Sequence, residues 1–295
     1  MPHQTIFASR TIRKLLVVVA LFSIGVAGHA QYLEPLPAVV APDDKIRLRE
    51  NLWFGNEGHQ QLDAYLPTPA FKAPVVICWF GGAFWGSDKK QLAGLATYLA
   101  HHGIAAITPA YFLGAKDGTW AAWPRAVYDA KSAVRYVRAH ASELNIDPDR
   151  IVALGYSSGA YLAMMVGFTP NLTELEGPGE NLAISSRVSA VVEISGVVDR
   201  RRDVGVPLAL LGRGYEEKTD LRVATSPVLY VSSKTVPVYI LHGRQDSVSD
   251  VSSATQLAEA LESAKVPHVL RLIEADHQPV TPKEMDLIVE WLRKF

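Results

Sequence analysis

From residue 46 onward, short runs rich in β-branched and aromatic residues alternate with longer stretches whose apolar positions recur at helical spacing. The strand candidates are 46–54 (IRLRENLWF), 60–66 (QQLDAYL), 74–80 (PVVICWF), 104–111 (IAAITPAY), 150–156 (RIVALGY), 188–196 (VSAVVEISG), 236–243 (VPVYILHG) and 268–274 (HVLRLIE). The first two alternate polar with apolar residues, which predicts half-exposed antiparallel strands. Several of the later ones are nearly continuous apolar runs, as strands covered on both faces are. Helical patterns fall between them at 88–102, 124–142, 158–167, 252–264 and 282–294. In 124–142, Val127, Ala130, Val134 and Val137 share one face, and the pattern stops at the turn signal Asn145-Ile146-Asp147-Pro148. Strand–helix alternation of this kind predicts an α/β domain, with a mostly parallel sheet and helices on both faces. The segment 197–235, rich in Gly, Pro and charge, breaks the alternation, as does 169–181. Such insertions emerge at the carboxyl ends of the strands, where ligands bind, so 197–235 is expected to be a small cap or a long loop.

The pattern ahead of residue 46 is of another kind. Arg10, Arg13 and Lys14 precede the apolar stretch LLVVVALFSIGVAG, which ends in Gly28-His29-Ala30. A basic start, an apolar middle and small residues before a cut predict a signal peptide over 1–30, cleaved after Ala30. The apolar run is shorter than the ~20 residues a spanning helix needs, so no stable membrane anchor is expected. Residues 31–45 then read as a linker and 46–295 as one catalytic domain.

The chain has 295 residues, 48% of them hydrophobic, enough for a sizeable core. A formal net charge of -1 offers no electrostatic argument for nucleic acid or an anionic membrane as partner. The basic run Arg200-Arg201-Arg202, flanked by Asp199 and Asp203, reads as a solvated loop. Cys78, the only cysteine, excludes an internal disulfide, and no cationic neighbour in sequence marks it as a reactive thiol.

Chemistry enters where the buried strand RIVALGY meets the helix that starts near residue 158. The junction reads Gly155-Tyr156-Ser157-Ser158-Gly159, a G-x-S-x-G sequence at a strand-to-helix turn. Small residues there also suit close helix–sheet packing. A turn that sharp nevertheless exposes its central serine, so Ser157 is the candidate nucleophile. Ser158 offers its backbone N–H at a helix N-terminus, where a developing oxyanion is stabilised. A serine hydroxyl needs a base held by a carboxylate, and in this architecture the chain order is Ser, then Asp or Glu, then His. The strand VPVYILHG runs into Asp246, and HVLRLIE runs into His277, so three strands deliver Ser157, Asp246 and His277 to one sheet edge. Asp250 and Asp276 are the rival carboxylates, Asp276 being next to His277 and expected to point elsewhere. His242 reads as structural, His101 and His102 as helix-end residues, and His268 begins a strand. After PVVICWF comes Phe80-Gly81-Gly82-Ala83-Phe84-Trp85-Gly86, whose paired glycines let backbone donors from Gly82 or Ala83 complete an oxyanion hole.

These segments resemble the exported α/β-hydrolase esterases, the group of bacterial feruloyl-esterase-like and hormone-sensitive-lipase-like carboxylesterases. FGGAFWGSDK resembles that group's HGGGW-type loop, and WPRAVYDAKSAVRYVRAHASELNIDPDRIVALGYSSGAYLAMM its helix–turn–strand–elbow block. LHGRQDSV and EADHQ resemble its acid and histidine segments. The resemblance runs from about residue 46 onward and implies the α/β-hydrolase fold with Ser157, Asp246 and His277 as triad. Two departures stand out: Phe80 where the group has a loop-bracing histidine, and Ser247 where it often has proline.

Together these readings lead to the expectation of a secreted or periplasmic bacterial serine hydrolase that cleaves carboxylic esters without metal or organic cofactor. A small-molecule or carbohydrate-linked ester is the expected substrate. Phe80, Phe84, Trp85, Trp120, Trp123 and Tyr156 are the aromatics available to line a pocket, with Phe84, Trp85 and Tyr156 nearest the motifs. The alternatives are cleavage of amides, as in aminopeptidase-like or formamidase-like members, and a catalytically silent hydrolase fold kept for binding.

Overall fold

A computed structural model describes residues 44–68, 72–170, 172–202 and 208–295. The predicted signal peptide and nearly all of the linker lie outside the described residues, as do 203–207 of the insertion. Eight strands form one sheet: β1 Ile46–Trp53, β2 Gln61–Pro67, β3 Ala73–Trp79, β4 Ala105–Pro109, β5 Ile146–Tyr156, β6 Ala190–Ile194, β7 Val238–Gly243 and β8 His268–Ile273. Their spatial order is β1-β2-β4-β3-β5-β6-β7-β8. The β1–β2 and β2–β4 pairs are antiparallel, and every pair from β4 to β8 is parallel. Parallel neighbours need crossovers, which the helices supply: α1 Ala93–His101, α2 Arg125–Ala139, α3 Ala141–Leu144, α4 Ser158–Phe168, α5 Leu208–Leu211, α6 Thr219–Ala224, α7 Ser252–Ser263 and α8 Pro282–Leu292. No described helix is long and apolar enough to cross a membrane.

The middle of the sheet carries the core. β3, β4, β6 and β7 are almost wholly buried, as their continuous apolar runs predict. Helix α4 is buried at every residue, so it is apolar all round instead of striped. Helix α2 is amphipathic, and its predicted face of Val127, Ala130, Val134 and Val137 is buried. Asn145 ends this helical stretch in the left-handed conformation (φ 57°), and β5 begins at once with Ile146, four residues earlier than the sequence pattern indicated.

β2 departs from the expectation of a half-exposed strand. Six of its seven residues are buried, because it lies between β1 and β4, not at the sheet edge. Its polar position, Asp63, is buried because it pairs with Lys89, itself nearly inaccessible. The insertion 197–235 is not one open loop, since α5, α6 and two short turns of 3₁₀ helix lie within it. The expectation that Arg200–Arg202 is solvated also fails for part of the run. Arg200 is buried with its guanidinium 5.4 Å from the Tyr161 ring, and Arg201 forks onto buried Asp199, while Arg202 is exposed.

Candidate active site

The strand β5 ends and α4 begins without an intervening loop, and Ser157 takes up the turn with φ 55° and ψ −117°. A non-glycine residue in that region is strained, and its neighbours hold it there. The Ser157 N–H donates to the Ile194 carbonyl at the end of β6 (2.8 Å). The flanking glycines have no room for a side chain: a Cβ on Gly155 would sit 2.0 Å from the Gly159 carbonyl oxygen, and one on Gly159 2.0 Å from that of Trp79. Packing and exposure of the serine are therefore one device.

His277 lies beyond β8 and Asp246 beyond β7, on the same side as the elbow. His277 Nε2 is 3.0 Å from Ser157 Oγ, and its Nδ1 is 2.8 and 3.0 Å from the two Asp246 carboxylate oxygens. A carboxylate only accepts, so Nδ1 carries the ring hydrogen and Nε2 is left to accept from the serine hydroxyl. The Asp246 side chain is inaccessible to solvent, whereas that of His277 is 13% exposed. Burial alone would raise the Asp246 carboxyl, but hydrogen bonds from His242, His277 and the Ser249 N–H outweigh it and hold the group well below the usual carboxylate range. The Val248 N–H (2.9 Å) and Ser249 N–H (2.7 Å) donate to Oδ1. Asp246 is thus ionised and fixed against His277 Nδ1.

The rival carboxylates occupy other places. Asp276 accepts the His277 N–H (2.7 Å) and the Ser247 N–H (2.8 Å) and hydroxyl (3.0 Å), so it ties the two loops together. Asp250 accepts the Ser252 N–H near the start of α7. Cys78 is buried within β3 and burial pushes its thiol up, consistent with an inert residue.

The loop after β3 takes positive φ at Gly82, Ala83 and Phe84. Among the described residues no protein acceptor takes the N–H of Gly82 or Ala83, and the Ser158 N–H belongs to the unpaired first turn of α4. All three predicted donors are thus free for an oxyanion. Phe80 stands where the resembled group has a loop-bracing histidine, and here other contacts hold the loop. The Phe80 ring stacks on Tyr111 (4.3 Å between centroids), and the Tyr111 hydroxyl donates to the Phe80 carbonyl (2.9 Å). Gln91 Oε1 accepts the Gly81 N–H (2.7 Å). The sequence pattern singles out neither Gln91 nor Tyr111, because no local signal marks side chains that reach back ten and thirty-one residues to a loop.

A cavity of about 650 Å³ opens at Ser157 and His277 and extends toward α7. Its walls include Ser195, Asp199, Arg200, Ser249, Gln256 and Glu259, with Ala83, Phe84, Val197 and Val248 as the apolar part. Of the three aromatics expected in a pocket, Phe84 lines this cavity. Trp85 does not: it is 42% exposed and carries Lys116 on its ring face. Tyr156 does not line it either, being buried with its ring 5.3 Å from that of His277.

With this geometry in view, likeness to known proteins becomes informative. The BD-FAE family model matches residues 62–261. The probable carboxylic ester hydrolase LipM of Mycobacterium tuberculosis is 32% identical over 227 residues, covering 73% of this chain and 50% of that protein. The chain spans about half the length of the curated relatives it matches. Among solved structures, the acetyl ester-xyloside bifunctional hydrolase from Caldicellulosiruptor lactoaceticus superposes with a TM-score of 0.71 at 27% identity, over 81% of this chain and 89% of that one. A truncated carbohydrate esterase from gut microbiota reaches a TM-score of 0.79 at 24% identity, over 86% and 98%, which bears on the fold alone. The fold is that of the α/β-hydrolase esterases, and the chain belongs to the BD-FAE family.

Proposed function

We propose that the protein is a serine hydrolase of carboxylic esters, with Ser157, His277 and Asp246 as its triad. The observation that carries this reading is His277 lying within hydrogen-bond reach of Ser157 on one ring nitrogen and of buried Asp246 on the other. Ser157 Oγ attacks the acyl carbon as its proton passes to His277 Nε2. The carbonyl oxygen gains the charge, and the N–H groups of Ser158 and of Gly82 or Ala83 receive it. When the tetrahedral species collapses, the proton on Nε2 goes to the leaving alcohol. Water, deprotonated by the same nitrogen, then releases the acid from Ser157. Asp246 holds His277 in the tautomer this needs and stabilises the imidazolium.

The substrate is a short-chain ester of a polar alcohol of the sugar type. Residues with hydroxyl, amide or charged side chains outnumber the apolar ones around the cavity, which suits a polyhydroxylated alcohol. The acetyl ester named for the Caldicellulosiruptor relative fits the same reading. Export through the segment 1–30 belongs to this proposal too, supported by its basic, apolar and small-residue order.

The test is hydrolysis of p-nitrophenyl acetate by the chain from Gln31 beside Ser157→Ala. Turnover by the first and background by the second supports the triad; equal rates remove it. Acetylated xylo-oligosaccharides compared with p-nitrophenyl octanoate then separate a polar-alcohol enzyme from a lipase-like one.

A further inference from the structure

Against Asp246 sits a second histidine that the reaction above does not use. His242, in β7, is fully buried. Its Nε2 is 2.7 Å from the Ser249 carbonyl oxygen and 3.2 Å from Asp246 Oδ2. A carbonyl only accepts, so this nitrogen carries a hydrogen. That N–H leans on the same carboxylate oxygen that His277 Nδ1 approaches to 2.8 Å. Asp246 therefore lies between two imidazoles.

The sheet register brings up another carboxylate. Glu193 of β6 pairs with Ile240 of β7, so Glu193 and His242 emerge on the same face, two residues out of step. Glu193 is fully buried and accepts the Gly196 N–H on Oε1. Its Oε2 has no hydrogen-bond partner among the described residues, and neither has His242 Nδ1. A core histidine kept only for packing ordinarily has both ring nitrogens satisfied. Here the unpartnered nitrogen and the unpartnered carboxylate oxygen belong to side chains on one face of adjoining strands.

The groups acting on this imidazole are Glu193 from β6 and Asp246 and Asp250 from the loop after β7, while His277 from beyond β8 acts on the shared Asp246 carboxylate. Burial works against a charged His242, but the Asp246 hydrogen bond and the Glu193 carboxyl outweigh it and raise the group. Glu193 itself is pushed up to about 7, by burial against the opposing influence of His242. Two buried carboxyl groups and one imidazole thus form a coupled set that titrates together.

We propose that His242 is a positioning residue of the reaction: as an imidazolium against Asp246, with Glu193 on the adjoining strand, it fixes the Asp246 carboxylate and acts through it on His277. This rests on the reading of Ser157, Asp246 and His277 as the triad. A positive charge on one side of Asp246 opposes a second one on the other, so removing it should ease the gain of charge on the base. Gln in place of His242 keeps an N–H donor for Ser249 and Asp246 but removes the charge.

The test has two arms, both on the whole folded chain. In the first, kcat/KM for p-nitrophenyl acetate is followed between about pH 5 and pH 9 for the wild type and His242→Gln. The acid limb is expected to move up by about half to one pH unit in the variant. A limb that stays in place, whatever happens to kcat, overturns the proposal and leaves His242 a packing residue. In the second arm, side-chain nitrogen NMR reads the His242 ring directly in the wild type and in Glu193→Gln. Imidazolium signals at neutral pH, lost at lower pH in Glu193→Gln than in the wild type, are expected; a neutral ring in the wild type refutes the inference. This arm decides the matter if His242→Gln does not fold. It also stands if the wild type fails to hydrolyse the ester, the outcome that would sink the esterase reading instead.

Discussion

Gln91 gives the sharpest test of how the oxyanion loop is held. Its side chain, 9% exposed, comes from a 3₁₀ turn over Lys89–Leu92 that Asp88 caps through the Lys90 N–H. From there it accepts the Gly81 N–H at 2.7 Å. Gly81 rides against the nucleophile itself: a Cβ placed on it would come 3.1 Å from Ser157 Cβ. Gln91→Met keeps the length of the side chain and removes the acceptor, leaving a buried N–H unmade at a cost of about 1–3 kcal/mol. The peptide can escape that penalty only by rotating, which carries the next donors, Gly82 and Ala83, away from the oxyanion. Complete loss of one such donor lowers kcat by about 10²–10³. Tyr111 still holds the Phe80 carbonyl, the other end of the same peptide group, so the displacement is partial. The expected fall in kcat is about tenfold, or about 1.4 kcal/mol, with KM little changed because the loss falls on the transition state. Gln91→Glu retains an acceptor and should keep more of the rate than Gln91→Met. Steady-state kinetics on p-nitrophenyl acetate, with circular dichroism to establish folding, reads the result. A folded Gln91→Met enzyme with kcat within about twofold of wild type would show that Gln91 does not hold the loop.

Two further expectations follow from the elbow and the acid. Asp246→Asn removes the charge opposite the imidazolium and permits the wrong His277 tautomer, so kcat should fall by about 10³–10⁴ without loss of fold; a drop under about tenfold would mean that another carboxylate serves. Gly159→Ala forces a methyl group to 2.0 Å from the Trp79 carbonyl, a backbone atom in the centre of the sheet. That variant should be insoluble or melt well below the wild type, and a wild-type melting curve would contradict the close approach.

Much of this arrangement is legible in the sequence because it depends on local order. Among the described residues eight strands emerge from the eight predicted segments, and the candidate site residues follow strand ends, which hydropathy marks well. What is not legible depends on contacts between distant segments. β2 reads as half exposed because Asp63 interrupts it, and only the fold brings Lys89 to that carboxylate. Arg200 reads as solvated within a charged run, yet it lies against Tyr161, thirty-nine residues earlier in the chain. The aromatics near the motifs suggest an aromatic pocket, but only Phe84 of the three faces the cavity and polar residues outnumber the apolar ones around it. His242 reads as structural for the same reason: nothing in LHG reveals that Asp246 will return to it, with Glu193 on the neighbouring strand.

The distance in sequence between the hydroxyl and its base has a consequence for how activity appears during folding. Ser157 and His277 are 120 positions apart, and the loop that carries His277 is placed by β8, which pairs with β7 alone among the described strands. A chain in which β3, β5 and β6 have assembled already owns a finished elbow and its oxyanion donors. It owns no base until β8 docks. In the proposed mechanism hydrolysis therefore waits for the complete sheet, and a partly folded chain without β8 in place is chemically silent.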